Sequence, residues 1–210
     1  PTSGSCTKPW MSMRPDLSII ADLINPSARV LDLGCGEGDL LSFLQKHKGV
    51  NGYGLDVDPA NITTCIAKGV NVIEHDLDAG LQDFADDAFD MVVMTETLQS
   101  VRYPDVLLRE MLRIGKECIV TFPNFAHWRC RLHLGLLGQM PVVQHLPNSW
   151  FDTPNIRLCT FDDFERLCRE HRYRIIQRFV VGPDYHQHFL ANQMPNLFGT
   201  IAFYRLGRSL

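Results

Sequence analysis

No apolar run in the 210 residues approaches the roughly 18 needed to span a bilayer, and no signal-peptide h-region is present. A basic excess is missing too. The chain has 20 Lys and Arg against 24 Asp and Glu, a formal charge of −4 with neutral histidine. Proteins that grip phosphate backbones carry the opposite balance, so no nucleic-acid partner is expected. Cys-x-x-Cys is absent. The seven cysteines (Cys6, Cys35, Cys65, Cys118, Cys130, Cys159 and Cys168) are odd in number and irregular in spacing. That fits neither a disulfide framework nor a zinc site, and reduced thiols serving as small apolar residues are expected. His186-x-His188 has no third ligand nearby, so no metal is assigned. These absences predict a soluble, cytoplasmic chain with no membrane partner.

What the chain does have is a rhythm. Residues 1–12 are rich in Ser, Thr and Pro, lack an apolar period, and read as a flexible N-terminal extension or tag remnant. Residues 13–210 then form one domain, in line with about 150 residues per domain. From Pro15 to Ile24 the apolar residues share one helical face, and Asn25-Pro26 ends the helix. Strands are predicted at 29–33, 51–57, 70–76, 89–94 and 117–122. Helices are predicted after Asp39, from Pro59 to Lys68 and from Pro104 to Arg113. Residues 124–138 read as helix, 139–158 as a loop with three prolines and 160–171 as helix. Two strands follow, at 174–181 and 200–206. Strands alternating with helices at this pitch predict an α/β, Rossmann-like parallel sheet, closed at one edge by an antiparallel pair. The stretch 124–171 is expected to cover the site.

The informative segment is Leu31-Asp32-Leu33-Gly34-Cys35-Gly36-Glu37-Gly38-Asp39-Leu40. Glycines between a strand and a helix let a ligand approach the backbone, and the helix start presents free N–H groups. A nicotinamide fingerprint needs glycine where Asp39 stands, and a P-loop needs Gly-Lys-Ser or Gly-Lys-Thr, which does not occur. Asp32, Glu37 and Asp39 crowd this turn. At about 5 Å and an effective dielectric near 20, each would repel a unit negative charge by roughly 3 kcal/mol. A pyrophosphate is disfavoured, and a cationic adenosyl ligand such as S-adenosylmethionine is favoured. The second strand ends at Asp56, placed to accept from ribose hydroxyls. The third ends at Asp76-Leu77, where an oxygen can accept from an adenine amino group.

These residues resemble the class I S-adenosylmethionine-dependent methyltransferases from about residue 14 to the C-terminus. The resemblance implies a seven-stranded sheet of order 3-2-1-4-5-7-6 with an antiparallel last strand. It implies S-adenosylmethionine or S-adenosylhomocysteine as cofactor, with Asp32, Gly34, Gly36 and Gly38 as the first motif, Asp56 on the ribose and Asp76 on the adenine. Cys35, Val57, Leu77 and Thr95 complete the expected binding set. A more specific resemblance rests on MRPDLSIIADLI, RVLDLGCGEGDLL, GVNVIEHDLDAGL, TLQSV, PDVLLREMLRIGK, FPNFAHWRCRL, MPV and SWFDTPNIRLCTFDDFE. These segments are similar to the methionine-biosynthesis protein W family, which implies homoserine O-acyltransferase as partner.

Catalytic signals are sparse. Thr95-Glu96-Thr97-Leu98 follows strand four, where amino-methyltransferases of bases or glutamine carry Asn/Asp-Pro-Pro-Tyr/Phe, and no Pro-Cys nucleophile is present. Glu96, Gln99, Asn124, His127, Trp128 and Arg129 are candidate acceptor-side groups, with Glu96 and His127 able to orient an acceptor. Arg129, Arg131, Arg157, Arg166, Arg169, Arg172, Arg174 and Arg178 offer a docking face for an acidic partner. Two functions remain open: a cofactor-binding module that supports or regulates homoserine acylation, and an active methyltransferase on a small oxygen or nitrogen nucleophile.

Overall fold

Met91 and Val93 turn to one side of strand β4 (Phe89–Thr95) while Val92 and Met94 turn to the other, and all four are buried. A strand that is apolar on both faces belongs in the middle of a sheet with helices on both sides. The computed structural model, which describes residues 15–181 and 193–208, has that arrangement. Residues 1–12 and the His186-x-His188 pair lie outside the described residues.

The remaining strands are β1 (Arg29–Leu33), β2 (Asn51–Asp56), β3 (Asn71–Glu74), β5 (Gly115–Pro123), β6 (Arg174–Val181) and β7 (Ile201–Gly207). They form one seven-stranded sheet of order β3-β2-β1-β4-β5-β7-β6. Pairings from β3 to β5 are parallel, while β7 runs antiparallel to both β5 and β6. This is the class I methyltransferase topology.

Helices α1 (Pro15–Leu23), α2 (Asp39–Lys48) and α3 (Pro59–Ala67) pack on one face, where Ile20, Leu41, Leu44 and Cys65 meet Val30, Val93 and Ile119. Helices α4 (Pro104–Ile114) and α6 (Phe161–Glu170) cover the other, with Leu108, Met111, Phe161 and Phe164 against Val92, Val120, Phe122 and Tyr204. Phe122 stacks on Tyr204 with centroids 6.0 Å apart. Truncation of a side chain this buried costs about 3–5 kcal/mol. Side-chain caps start α3 and α6. Asp58 accepts the Ala60 N–H ahead of Pro59, and Thr160 accepts the Asp163 N–H while its hydroxyl donates back to Asp163.

Two elements differ from expectation. β3 stops at Glu74, so Asp76 stands two residues beyond the strand, where it caps the short turn Leu77–Ala79 by accepting from Asp78 N. β3 has one neighbour only and faces solvent, so little holds a longer strand in place. Residues 124–138 are not one helix. Asn124 is fully buried, its amide donating to the carbonyls of Asn196 and Gly199 and its Oδ1 accepting from Ala126. That staple holds 124–127 as a turn, and α5 begins only at Trp128 and ends at Leu132, followed by a wider π turn over His133–Leu137.

Candidate functional site

The glycine loop leaves β1 beside the end of β2, and its first two amides, on Gly34 and Cys35, both donate to Leu55 O. Gly34 has φ +71°, and a Cβ there would sit 2.6 Å from Thr97 Oγ1, so glycine is required twice over. Gly38 starts α2 in the left-handed region with its backbone against Cys65 Sγ. The loop therefore lies flat over the C-terminal ends of the strands and walls a cavity of about 430 Å³.

Asp32, Gly34, Cys35, Gly36 and Thr95 line this cavity, and so do Glu37, Asp39, Asn61 and Glu96. Asp32 is the unusual group. It is 2% exposed, and its Oδ1 has no hydrogen-bond partner among the described residues. Burial, helped by the charge of Asp56, pushes its carboxyl up to about 7. An orphaned buried carboxylate oxygen at a cavity wall fits a ligand that brings a cation or an N–H donor to it.

Asp56 sits beside it in the opposite condition. Its Oδ2 accepts the Gly36 N–H at 2.8 Å, and its Oδ1 accepts from Asp58 N at 2.9 Å and Asn61 Nδ2 at 3.2 Å. Asp56 thus ties the loop to β2 and contributes no surface to this cavity. Asp76, Leu77, Val57 and Gly38 do not line it either. Lys68 was not singled out from sequence. Its ammonium reaches Asp39 Oδ1 at 2.6 Å and Glu37 Oε2 at 3.4 Å, and the Asp39 contact raises its own pKa. The part of the acidic edge made by Glu37 and Asp39 is therefore met from within by Lys68.

Glu96 is held at the rim by its peptide. Its φ is +51°, rare for a residue with a side chain, and its N–H lies between Thr121 O at 3.1 Å and Thr121 Oγ1 at 3.0 Å. The Gln99 amide donates to the Glu96 carbonyl. Gln99 in turn gives its own carbonyl to the N–H groups of Ile156 and Arg157, both at 2.9 Å. The 124–171 stretch does not line the cavity; this clip joins it to the rim.

His127 lies elsewhere. It is buried, and its Nδ1 accepts the Arg129 N–H at the start of α5, so it serves as a helix cap. Burial first, and then the neighbouring His145 and Arg129, hold it down to about 4. His145, also not singled out, packs edge-on at 5.1 Å and donates from Nε2 to Asn124 O. Of the candidate arginines, Arg166 pairs with Asp163 and Arg178 with Glu165, each at 2.8 Å, while Arg129 lies over the Trp128 ring. Cys35 is half-buried with its sulfur 3.9 Å from that of Cys65, while Cys65, Cys118, Cys130 and Cys168 are buried. Burial raises the pKa of all five thiols.

Solved structures share this architecture. An S-adenosylmethionine-dependent methyltransferase from Mesorhizobium loti superposes with a TM-score of 0.69 over 94% of this chain and 99% of its own, at 15% identity. A SAM-dependent methyltransferase from Archaeoglobus fulgidus gives 0.67 over 92% and 91%, at 17% identity. At these identities the likeness is one of fold. No described helix is long and apolar enough to cross a membrane. In sequence, the chain is 33% identical over 94% of its length to the bifunctional methionine biosynthesis protein MetXA/MetW of Rhodopirellula baltica, and it spans 34% of that longer protein. The model of the family described as methionine biosynthesis protein MetW matches residues 14–206. A match of that extent, on the strand ends and glycine loop described above, places the chain in the MetW family.

Proposed function

We propose that the chain binds S-adenosylmethionine or S-adenosylhomocysteine at the glycine loop and acts with homoserine O-acyltransferase to support or regulate homoserine acylation. The observation that carries the cofactor reading is the orphaned Oδ1 of buried Asp32 at the cavity wall. When bound, such a cofactor supplies a cationic α-ammonium and, in its methylated form, a sulfonium-activated methyl group. Asp32 would accept from the ammonium and ionise beside it, which removes the cost of a buried unpaired carboxylate. Gly34 and Gly36 would let the ligand lie against the backbone, and Asp56 would keep the loop closed and meet the ribose. Asp76 and Leu77, at the turn after β3, would border the adenine, with Val57 beside them. Residues 124–171 would cover the site.

The acyltransferase reading is supported by the Rhodopirellula relative, whose single polypeptide carries MetXA as well as MetW in its name. Fusion holds two modules at high effective concentration, as expected for partners that work together. The test is calorimetric titration of S-adenosylhomocysteine into the protein and into Asp32→Ala, together with co-purification of the acyltransferase. Micromolar binding lost in the variant is expected. Absence of binding to the unaltered protein overturns the cofactor reading.

One observation favours a second reading, methyl transfer to a small oxygen or nitrogen nucleophile. Glu96 is pinned at the cavity rim in a strained backbone conformation, the kind of strain that accumulates where a side chain must point at a ligand. Transfer of label from a methyl-labelled donor to a small molecule in cell extract, lost on Asp32→Ala, would establish it.

A further inference from the structure

The largest unexplained feature outside the cavity is the outer face of the stretch after β5. Leu136, Trp150 and Phe151 are 77%, 74% and 73% exposed, and Leu137, Met140 and Ile156 are exposed beside them in the sequence. Met140, Trp150 and Phe151 wall a recess of about 510 Å³, and Trp150 and Phe151 meet edge to face at 5.8 Å. Proteins rarely leave two large aromatic rings bare side by side, and Trp is the side chain most enriched at binding hot spots.

Charge narrows what can sit there. No Asp or Glu occurs between Glu117 and Asp152, while Arg129, Arg131 and His133 fall within that span, in a chain whose net charge is −4. Along the sequence the stretch that carries the face is therefore apolar and cationic up to Phe151, where Asp152 adjoins it, on an acidic molecule. A second copy docking face to face would set these arginines against their own equivalents. An apolar projection ringed by carboxylates would meet a recess that fits it and cations that pair with it.

We infer that this face, centred on Leu136, Met140, Trp150 and Phe151, is the docking surface for the acyltransferase, which presents an apolar side chain within an acidic rim. The inference rests on the acyltransferase being the partner, as proposed above. It also gives a reason for the Gln99 clip, since Ile156 and Arg157, held by Gln99 O, connect the face to the rim of the cavity.

The test measures the affinity of the full chain for its cognate, purified acyltransferase by calorimetry. It compares Leu136→Glu/Trp150→Glu with Ile66→Glu, which places the same charge on an exposed apolar residue of α3. Thermal midpoints check that each variant is folded. The expected result is a loss of about thirtyfold or more for the double variant and less than about twofold for Ile66→Glu. Arg129→Glu should weaken association further at low salt than at high salt. If the unaltered chain fails to bind the acyltransferase, the partner reading and the docking face fall together. If it binds and the double variant binds equally well, the docking face alone is overturned. Whatever else covers the face, be it another copy, an anionic vesicle surface or the chain's own remaining residues, gives that second result.

Discussion

Asp32 and Asp56 end neighbouring strands at one glycine loop, yet Asp56 is held by three N–H donors while the Oδ1 of Asp32 has none among the described residues. Burial first, and then the neighbouring Asp56, raises Asp32 to about 7. One acid ties the loop to β2, and the other faces the cavity.

Asp32 makes binding pH-dependent. Without ligand the folded protein holds a proton on Asp32 up to about pH 7, whereas the unfolded chain releases it near the ordinary carboxylate value of 3.8. The resulting stability is fully present below pH 3.8 and is lost as pH rises to about 7, a change on the order of a few kcal/mol. A ligand whose ammonium docks on Asp32 needs the ionised form, so affinity for S-adenosylhomocysteine should rise about fivefold from pH 6 to pH 7, about twofold more above that, and then level off. Titrations in buffers of different ionisation enthalpy should show about one proton released at pH 6. Asp32→Asn should abolish both the slope and the proton.

His127 tilts stability the other way. Its folded value of about 4 lies below the ordinary 6.5, so the unfolded chain binds the extra proton between pH 4 and 6.5. That contribution is present above pH 6.5 and is lost as pH falls to about 4. Over much of the same range it opposes Asp32. Unfolding profiles of His127→Asn and Asp32→Asn against pH should therefore deviate from the parent in opposite directions. Deviations of the same sign would contradict the two burial assignments.

Gly34 and Gly69 separate strain from crowding. Both have positive φ, but a Cβ at Gly69 meets open space while one at Gly34 meets Thr97. Gly69→Ala should cost about 1 kcal/mol, the backbone penalty alone. Gly34→Ala should cost about 2–4 kcal/mol and weaken ligand binding, because the loop must shift. Chemical denaturation with matched m-values checks both.

Gln99 should carry occupancy outward. Ligand contact at Glu96 should slow amide exchange at Ile156 and Arg157, whose N–H groups end on Gln99 O. In Gln99→Ala, which removes the amide bonded to Glu96, the same ligand should leave those two amides unchanged. Hydrogen exchange with and without S-adenosylhomocysteine reads this directly.

Much of the scaffold was legible because it is locally encoded. Strand β4 announces itself by apolar residues on both faces, α3 by Pro59, and the loop by its glycines between a strand and a helix. Strand order came from likeness to a family, since spacing alone does not say that β7 inserts beside β5. What stayed hidden depends on residues distant in sequence. Lys68 lies 31 residues from Glu37 yet answers its charge, and Asn124 meets Asn196 across 72 residues. The same distant staple breaks the helix expected over 124–138, and the edge position of β3 leaves Asp76 on a turn. His145 gave no signal, because its partners, Asn124 and His127, are brought to it only by the fold.

The most direct measurement is the rate of homoserine acylation by the purified acyltransferase, taken alone, with this chain, and with this chain as S-adenosylmethionine is titrated in. The expected result is a rate raised by the chain and then changed by S-adenosylmethionine, with the second response absent in Asp32→Ala. A rate that is the same with and without the chain, at every concentration of S-adenosylmethionine, would contradict it.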